Sequence, residues 1–413
     1  MNIERALHLA WRRAAWLSLS FVSSCGKHIR LVSAGSENIH AGPDFLHARI
    51  YINGRLWVGN VEIHRKAADW YRHGHHRNPA FDNVILHVVA RSGPLTLNSK
   101  QRPIPTIELP TGLQGFPEAD DPPFRAPSCG ITKHAGTRSS LAKLGEERLR
   151  QRSQTISSSW HLPESDWNTR LYQSLASGFG QPVNSLPFEW LALRTPFTLL
   201  HKYLPNRFDI EALLYGQAGM LGRLPSARGY PLQLQKRYEE IGHSLQYEAL
   251  PEHLWKYLRL RPKVFPCIRI SQFADLLCKQ RPGLRDLLSI RTLPQLEALL
   301  FCKASPYWHT HFRFQRPSVY LPKKMGLASI HMVIINAIAP FLLCYGKQTR
   351  NPKFEALALQ LLLEIEAEQN HITKKWTKFD CQPVNALESQ GILQLHQVYC
   401  EQHKCSLCPI QAE

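Results

Sequence analysis

Apolar positions change their period once along this chain. In the first hundred residues they fall in short runs bounded by glycine, asparagine and serine: His28 to Ala34, Phe45 to Ile52, Leu56 to His64 and Asn83 to Ala90 read as strands, the last buried on both faces. Ahead of them Ile3, Ala6, Leu7, Ala10 and Ala14 keep the three-and-four spacing of an amphipathic helix over residues 2 to 16. Lys66 to Arg77 has room only for a short helix, and Leu95 to Leu97 and Thr106 to Leu109 are further strand-like pieces. The predicted order is helix, three strands of which two form a hairpin, helix, strand: an α/β domain over residues 1–110.

Pro110, Pro117, Pro122, Pro123 and Pro127 then interrupt any regular structure, which places a linker at 111–130. From 131 to 413 the spacing is helical at Leu141 to Ile156, Trp167 to Phe179, Phe188 to Leu193, Ile210 to Leu221, Leu232 to Tyr247, Ile270 to Lys279, Pro294 to Cys302, Met332 to Tyr345 and Lys353 to Leu363. The fold class is therefore α+β, an α/β domain followed by an all-helical one that ends in a cysteine cluster.

Composition narrows the class. With 44% hydrophobic and 20% charged residues the chain is globular, and without an uninterrupted apolar run near 18 residues it is not a polytopic membrane protein. A formal charge of +18 attracts polyanions, and nucleic acid is the expected partner. Seven of the ten cysteines stand singly among apolar neighbours, as buried free thiols do, which points to a reducing compartment and a cytoplasmic protein. Arg12-Arg13, the apolar stretch to Val22 and Cys25 imitate an export signal, but the helical spacing of residues 2 to 16 assigns that region to the fold.

The densest group of acids and imidazoles spans residues 35–76, at the ends of short strands. Gly42-Pro43 hold Asp44 at a strand entrance, and Glu62 and His64, two apart, share one face of the partner strand. Whether Asp44 joins them depends on the turn. A three-residue loop Ile52-Asn53-Gly54 sets Asp44 opposite Glu62; a two-residue Asn53-Gly54 turn sets it opposite Ile63 unless a bulge restores the parity. Two carboxylates with a third polar group two positions on supply hard oxygen ligands for Mg²⁺ or Mn²⁺ and a group to position water, as phosphodiester hydrolysis requires.

Pro43-Asp44 followed by Glu62-Ile63-His64, in that order of elements, resembles the PD-(D/E)xK nuclease superfamily over residues 1–110. The resemblance implies Asp44 and Glu62 as metal ligands, with Glu4 as a further carboxylate. It departs where His64 replaces the family's lysine, because a neutral imidazole stabilises phosphorane charge less than an ammonium does. Lys66 shares the face of His64 only if the strand continues. His73 and His75, with Arg65 and Lys66, are the expected phosphate contacts. A competing chemistry is a Zn²⁺ or Fe²⁺ site, since His64, His73, His75, His76 and His87 lie within 24 residues and His73-Gly74-His75 can present both rings from one turn.

Near the C-terminus Cys400, Cys405 and Cys408, with Cys381 or His396 or His403 as a fourth ligand, form a thiolate pattern for Zn²⁺ or an iron–sulfur cluster. Lys256 to Lys263 with Arg269 interleaves cations and aromatics as a backbone-tracking surface does. No Walker loop, GxGxxG or GxSxG is present.

The segments GPDF, GNVEIH, ADWYRHGH, DNVILHVV, EALLYGQAGML, LRLRP with FPCIRISQ, and the final YC with CSLC resemble, in order, the DUF2851 family of uncharacterised bacterial proteins. That likeness implies membership and no mechanism. The expected function is a divalent-metal nuclease acting on DNA or RNA. The alternatives are a non-catalytic nucleic-acid-binding protein, marked by salt-dependent binding without cleavage, and a structural or assembly protein without such binding.

Overall fold

The apolar runs of the first hundred residues come together as one mixed sheet. The computed structural model describes residues 7–8, 10–11, 20–38, 42–109, 137–158, 166–222, 224, 227–241, 245, 248–258, 260–280, 283–377, 381–401 and 407–409. The chain divides into two compact units, Met1–Asp120 and Asp121–Glu413. The predicted linker lies outside the described residues, as do Glu4, Cys129, His403 and Cys405.

The first unit holds a seven-stranded sheet. Its strands are β1 (Ser20–Val22), β2 (His28–Ser33), β3 (Ser36–Glu37), β4 (Phe45–Ile52), β5 (Arg55–Lys66), β6 (Val84–Arg91) and β7 (Thr106–Glu108). The order is β1-β2-β4-β5-β6-β7, with β3 on β4. Pairing is antiparallel as far as β5 and parallel across β5, β6 and β7. Three strands and a fourth were expected. The sheet also has β1, which uses part of the stretch that imitated an export signal, and the two-residue β3, too short for any periodicity to reveal. The strand-like Leu95 to Leu97 makes only the single bridge Leu97↔Pro103.

Parallel β5 and β6 require a crossover, and the short helix Asp69–Arg72 with the 3-10 turns His75–Arg77 and Pro79–Phe81 supplies it. Its Trp70 and Phe81 pack with Val84 and Ile104. A separate core joins Leu7, Ala10 and Trp11 of the N-terminal helix to Ile29, Phe45, Ile50, Val61, Ile63, Leu86 and Val88.

The hairpin takes both registers that the sequence allowed. Asn53 and Gly54 have φ of 49° and 78°, a two-residue turn whose twist suits a hairpin, and Ile52 pairs with Arg55. The pairing then shifts between Ala48↔Gly59 and Phe45↔Val61, with His47 at φ 58° inside the bulge. Beyond the bulge the parity is the one that carries Asp44 to Glu62.

The second unit is mostly helical, and the expectation of an all-helical domain needs a correction. A two-stranded hairpin, β8 (His311–Arg313) and β9 (Arg316–Pro317), interrupts it. Four helices escaped the sequence reading: Phe197–His201, Leu284–Ser289, His371–Thr377 and Ala386–Gln394. The first three are under two turns long, and the last begins at Asn385, whose side chain accepts from the Glu388 N–H.

Residues Leu327–Gln348 form a 22-residue helix long and apolar enough to cross a membrane by composition. Most of its apolar surface is buried in this unit, with Val333, Ile334, Phe341 and Leu342 in the main core, as in the central helix of a water-soluble protein. Pro340 cannot donate within the ladder, and the π-turn Ile334–Ile338 sits just before it.

Candidate functional site

Strand alternation and the parallel register build the site. Glu62 and His64 project from one face of β5, and Glu62 pairs with His87 on β6. All three are buried. Because β5 runs on to Lys66, Lys66 also belongs to the face of His64, whereas Arg65 belongs to the other; both are exposed. The crossover brings the remaining rings. Gly74 has φ 76°, a left-handed turn that sets the His73 and His75 rings 5.5 Å apart. Phe81 stacks on His75 at 3.8 Å, and the Trp70 ring lies 5.3 Å from both His75 and His87.

Asp44 reaches this group through the backbone. Its N–H donates to Glu62 Oε2 (3.0 Å), and its Oδ2 accepts from the Ile63 N–H (2.8 Å). His8 Nε2 approaches the same Oδ2 at 3.4 Å. The other Glu62 oxygen, Oε1, faces His64 Nε2 at 3.5 Å and His75 Nε2 at 3.3 Å. His64 Nε2 is 3.1 Å from His73 Nδ1. One ligand atom from each of His64, His73 and His75 lies within 4.8 Å of the others.

Behind them runs a buried chain: His64 Nδ1 to His87 Nε2 (2.9 Å), His87 Nδ1 to Thr96 Oγ1 (3.0 Å), and Thr106 Oγ1 donating to Thr96 Oγ1 (3.0 Å). Two directions of donation fit this chain: from His64 through His87 to Thr96, which turns a lone pair of His64 Nε2 toward His73 and Glu62, and the reverse, which puts the N–H there. Burial, then the neighbouring His75 and His73, push the His64 pKa down to about 4. Burial likewise lowers His75, partly offset by Asp44, and holds His87 well below its ordinary value. His64, His75 and His87 are therefore neutral at pH 7.

The predicted site residues Asp44, Glu62, His64, His73 and His75 thus gather at one place. The reading of the sequence missed His8, Thr96 and Thr106, and counted His87 with the candidate imidazole ligands although its place inside a hydrophobic strand favours a satisfied core residue. His87 is a buried core residue whose partners are His64 and Thr96. A signal was present: His87 is the only polar position inside VILHVVA.

The C-terminal cysteines occupy a different setting. Cys381, Cys400 and Cys408 belong to one apolar cluster with Leu141, Leu144, Trp376 and Leu395. Burial pushes the Cys381 thiol up to about 11, toward an inert protonated core residue. Among the described residues no three cysteine or histidine ligand atoms converge there; the one such group is His64, His73 and His75. In the basic stretch Arg269 does not serve as a surface cation. It is buried and donates to Gln272 Oε1 (3.0 Å).

No curated protein and no solved structure matches this chain. A family model described as "Protein of unknown function (DUF2851)" matches residues 4–371, across both units and ending before Cys381. The chain belongs to the DUF2851 family.

Proposed function

We propose that the protein is a divalent-metal-dependent nuclease, with the metal held by Glu62, His64, His73 and His75 and with Asp44 at its border. The observation that carries this reading is the convergence of three imidazoles and a carboxylate. A carboxylate oxygen and imidazole nitrogens, two of those rings neutral through burial, face each other at 3.1–3.5 Å. Each neutral ring carries one N–H and one lone pair, so these contacts close either as hydrogen bonds or around a cation that takes the lone pairs. Three imidazoles and one carboxylate suit Mn²⁺, Zn²⁺ or Fe²⁺ better than Mg²⁺, which prefers an all-oxygen shell. The metal choice therefore moves from Mg²⁺ or Mn²⁺ toward the imidazole-binding cations.

A divalent cation there supplies Lewis-acid polarisation of a phosphoryl oxygen. The chain's own residues do the rest. His87 and Thr96 hold the His64 ring and its tautomer. The Ile63 N–H fixes the Asp44 carboxylate. Lys66, exposed on the face of His64, is placed for a substrate phosphate and offers the ammonium that His64 lacks. Phosphodiester is the favoured substrate for two reasons: the aspartate at the mouth of the hairpin and the Glu-x-His of its second strand stand before a crossover to a parallel strand, as the nuclease resemblance requires, and the chain carries +18 charges.

The test is cleavage of single- and double-stranded DNA and RNA with Mn²⁺, Zn²⁺, Fe²⁺, Mg²⁺ or EDTA, comparing wild type with Asp44→Ala, Glu62→Ala and His73→Ala. Metal-dependent cutting lost in all three variants is the expected result. Binding with no cutting by wild type in any metal would overturn catalysis and leave a binding protein.

A further inference from the structure

The helical unit contains a long stretch without negative charge. Residues 298–354 include no Asp or Glu, while Lys303, Arg313, Arg316, Lys323 and Lys324 fall within residues 303–324. Those residues form the 3-10 turn Pro306–Thr310, the β8–β9 hairpin and an outward stretch at Val319 to Leu321. Rings anchor the platform: Trp308 is fully buried, and Tyr307 stacks on His311 at 4.1 Å. On top, Val319 is 88% and Tyr320 65% exposed, with the Tyr320 ring edge-on to His309 at 5.5 Å.

The cations around this tyrosine are held close together. Lys323 Nζ donates to the His309 carbonyl (2.8 Å) and lies 4.2 Å from the Phe312 ring centre. Arg313 sits 3.9 Å over Tyr257 and so ties the hairpin to the basic stretch 256–263. Lys263 lowers the Lys323 pKa after burial, and Lys323 and Lys303 both lower that of His309, which places these charges in one field. The nearby acids are already used: Asp275 pairs with Arg207 and Lys279, and Glu211 with Arg207.

We propose that this face binds a single nucleic-acid strand, with Lys303, Arg316 and Lys324 on phosphates and a base stacked on Tyr320. An exposed aromatic ring on a rigid platform among cations is how unpaired bases are held without sequence preference, whereas a duplex hides its base faces. The inference deepens the nuclease reading by naming the form of the substrate, and it rests on that reading for the class of partner.

The test measures binding by the full chain in EDTA, so that cleavage plays no part. The probes are fluorescent dT20, the same length of duplex, and vesicles containing phosphatidylserine. Wild type is expected to prefer dT20. Tyr320→Ala should weaken binding about tenfold, and the triple variant Lys303→Gln, Arg316→Gln, Lys324→Gln should flatten the slope of log affinity against log salt by roughly 2, at about 0.7 per phosphate contact. Both variants should keep the wild-type melting temperature. No binding to dT20, preference for duplex or vesicles, or unchanged affinity and slope in the variants would overturn the inference. Metal-dependent cleavage surviving such a failure would leave the nuclease reading intact, and binding without cleavage would do the reverse.

Discussion

Two buried polar clusters, one in each unit, differ in the groups they set around a carboxylate. In the helical unit Glu211 and Asp275 are fully enclosed, yet each has donors. Arg207 pairs with both, Lys279 and the Lys303 N–H with Asp275, and the Ser271 and Tyr230 hydroxyls donate to Glu211. In the sheet unit Glu62 Oε1 faces rings whose pKa values lie below their ordinary range. The first cluster sets cations and hydroxyls against its carboxylates, and the second sets neutral imidazoles, each with one N–H and one lone pair, around a carboxylate oxygen. A carboxylate held by fixed cations and hydroxyls is a structural joint, whereas imidazoles gathered beside a carboxylate are the donor set of the proposed metal site.

The most forceful way to break this contrast is to remove Arg207. Arg207→Leu strips a counter-charge from two buried carboxylates and should cost about 3 kcal/mol, read as a lower urea midpoint at unchanged slope. A loss below about 1 kcal/mol would mean that the helical cluster is not the joint described.

Next in size is the response to metal. Mn²⁺ or Zn²⁺ at a hundred times its dissociation constant should stabilise the wild type by about 2.7 kcal/mol, seen as a rise in melting temperature. His73→Ala, a change at an exposed ring, should abolish that rise while leaving the metal-free melting temperature near wild type. An equal rise in His73→Ala would locate the metal elsewhere.

A smaller effect sharpens the role of the buried chain. His87→Phe keeps an aromatic ring against Trp70 but removes the bond to His64 Nδ1, and metal affinity by titration should fall about tenfold. Unchanged affinity would reduce His87 to packing.

The smallest effect concerns the bulge. His47→Gly relieves a non-glycine left-handed residue and should change stability by no more than about 1 kcal/mol, with metal binding preserved. Loss of metal binding in this variant would show that the His47 side chain, and not the backbone bulge, sets the position of Asp44.

Much of the fold was legible because it is local. The hairpin strands β4 and β5, the short crossover helix and nine helices carry their own periodicity, and alternation alone set Glu62 and His64 on one face. Gly74 between two histidines was legible as a turn. The helices at Phe197–His201 and Leu284–Ser289 were not, since so few residues hold too little apolar spacing to stand out. Arg269 looked like a surface cation because sequence shows charge and not burial. The apolar setting of Cys381, Cys400 and Cys408 is likewise a property of neighbours drawn from distant helices.

The sequence by itself determined the division into a sheet-bearing and a helical part, the basic charge and the set of acids and imidazoles from which a site could be made. Tertiary structure decided which of them meet. The bulge at His47 chose the parity that brings Asp44 to Glu62, and the parallel pairing of β5 with β6 set His87 behind His64. Both are pairings between residues remote in the chain, and a strand's period of two records which face a residue takes but not which partner lies across from it.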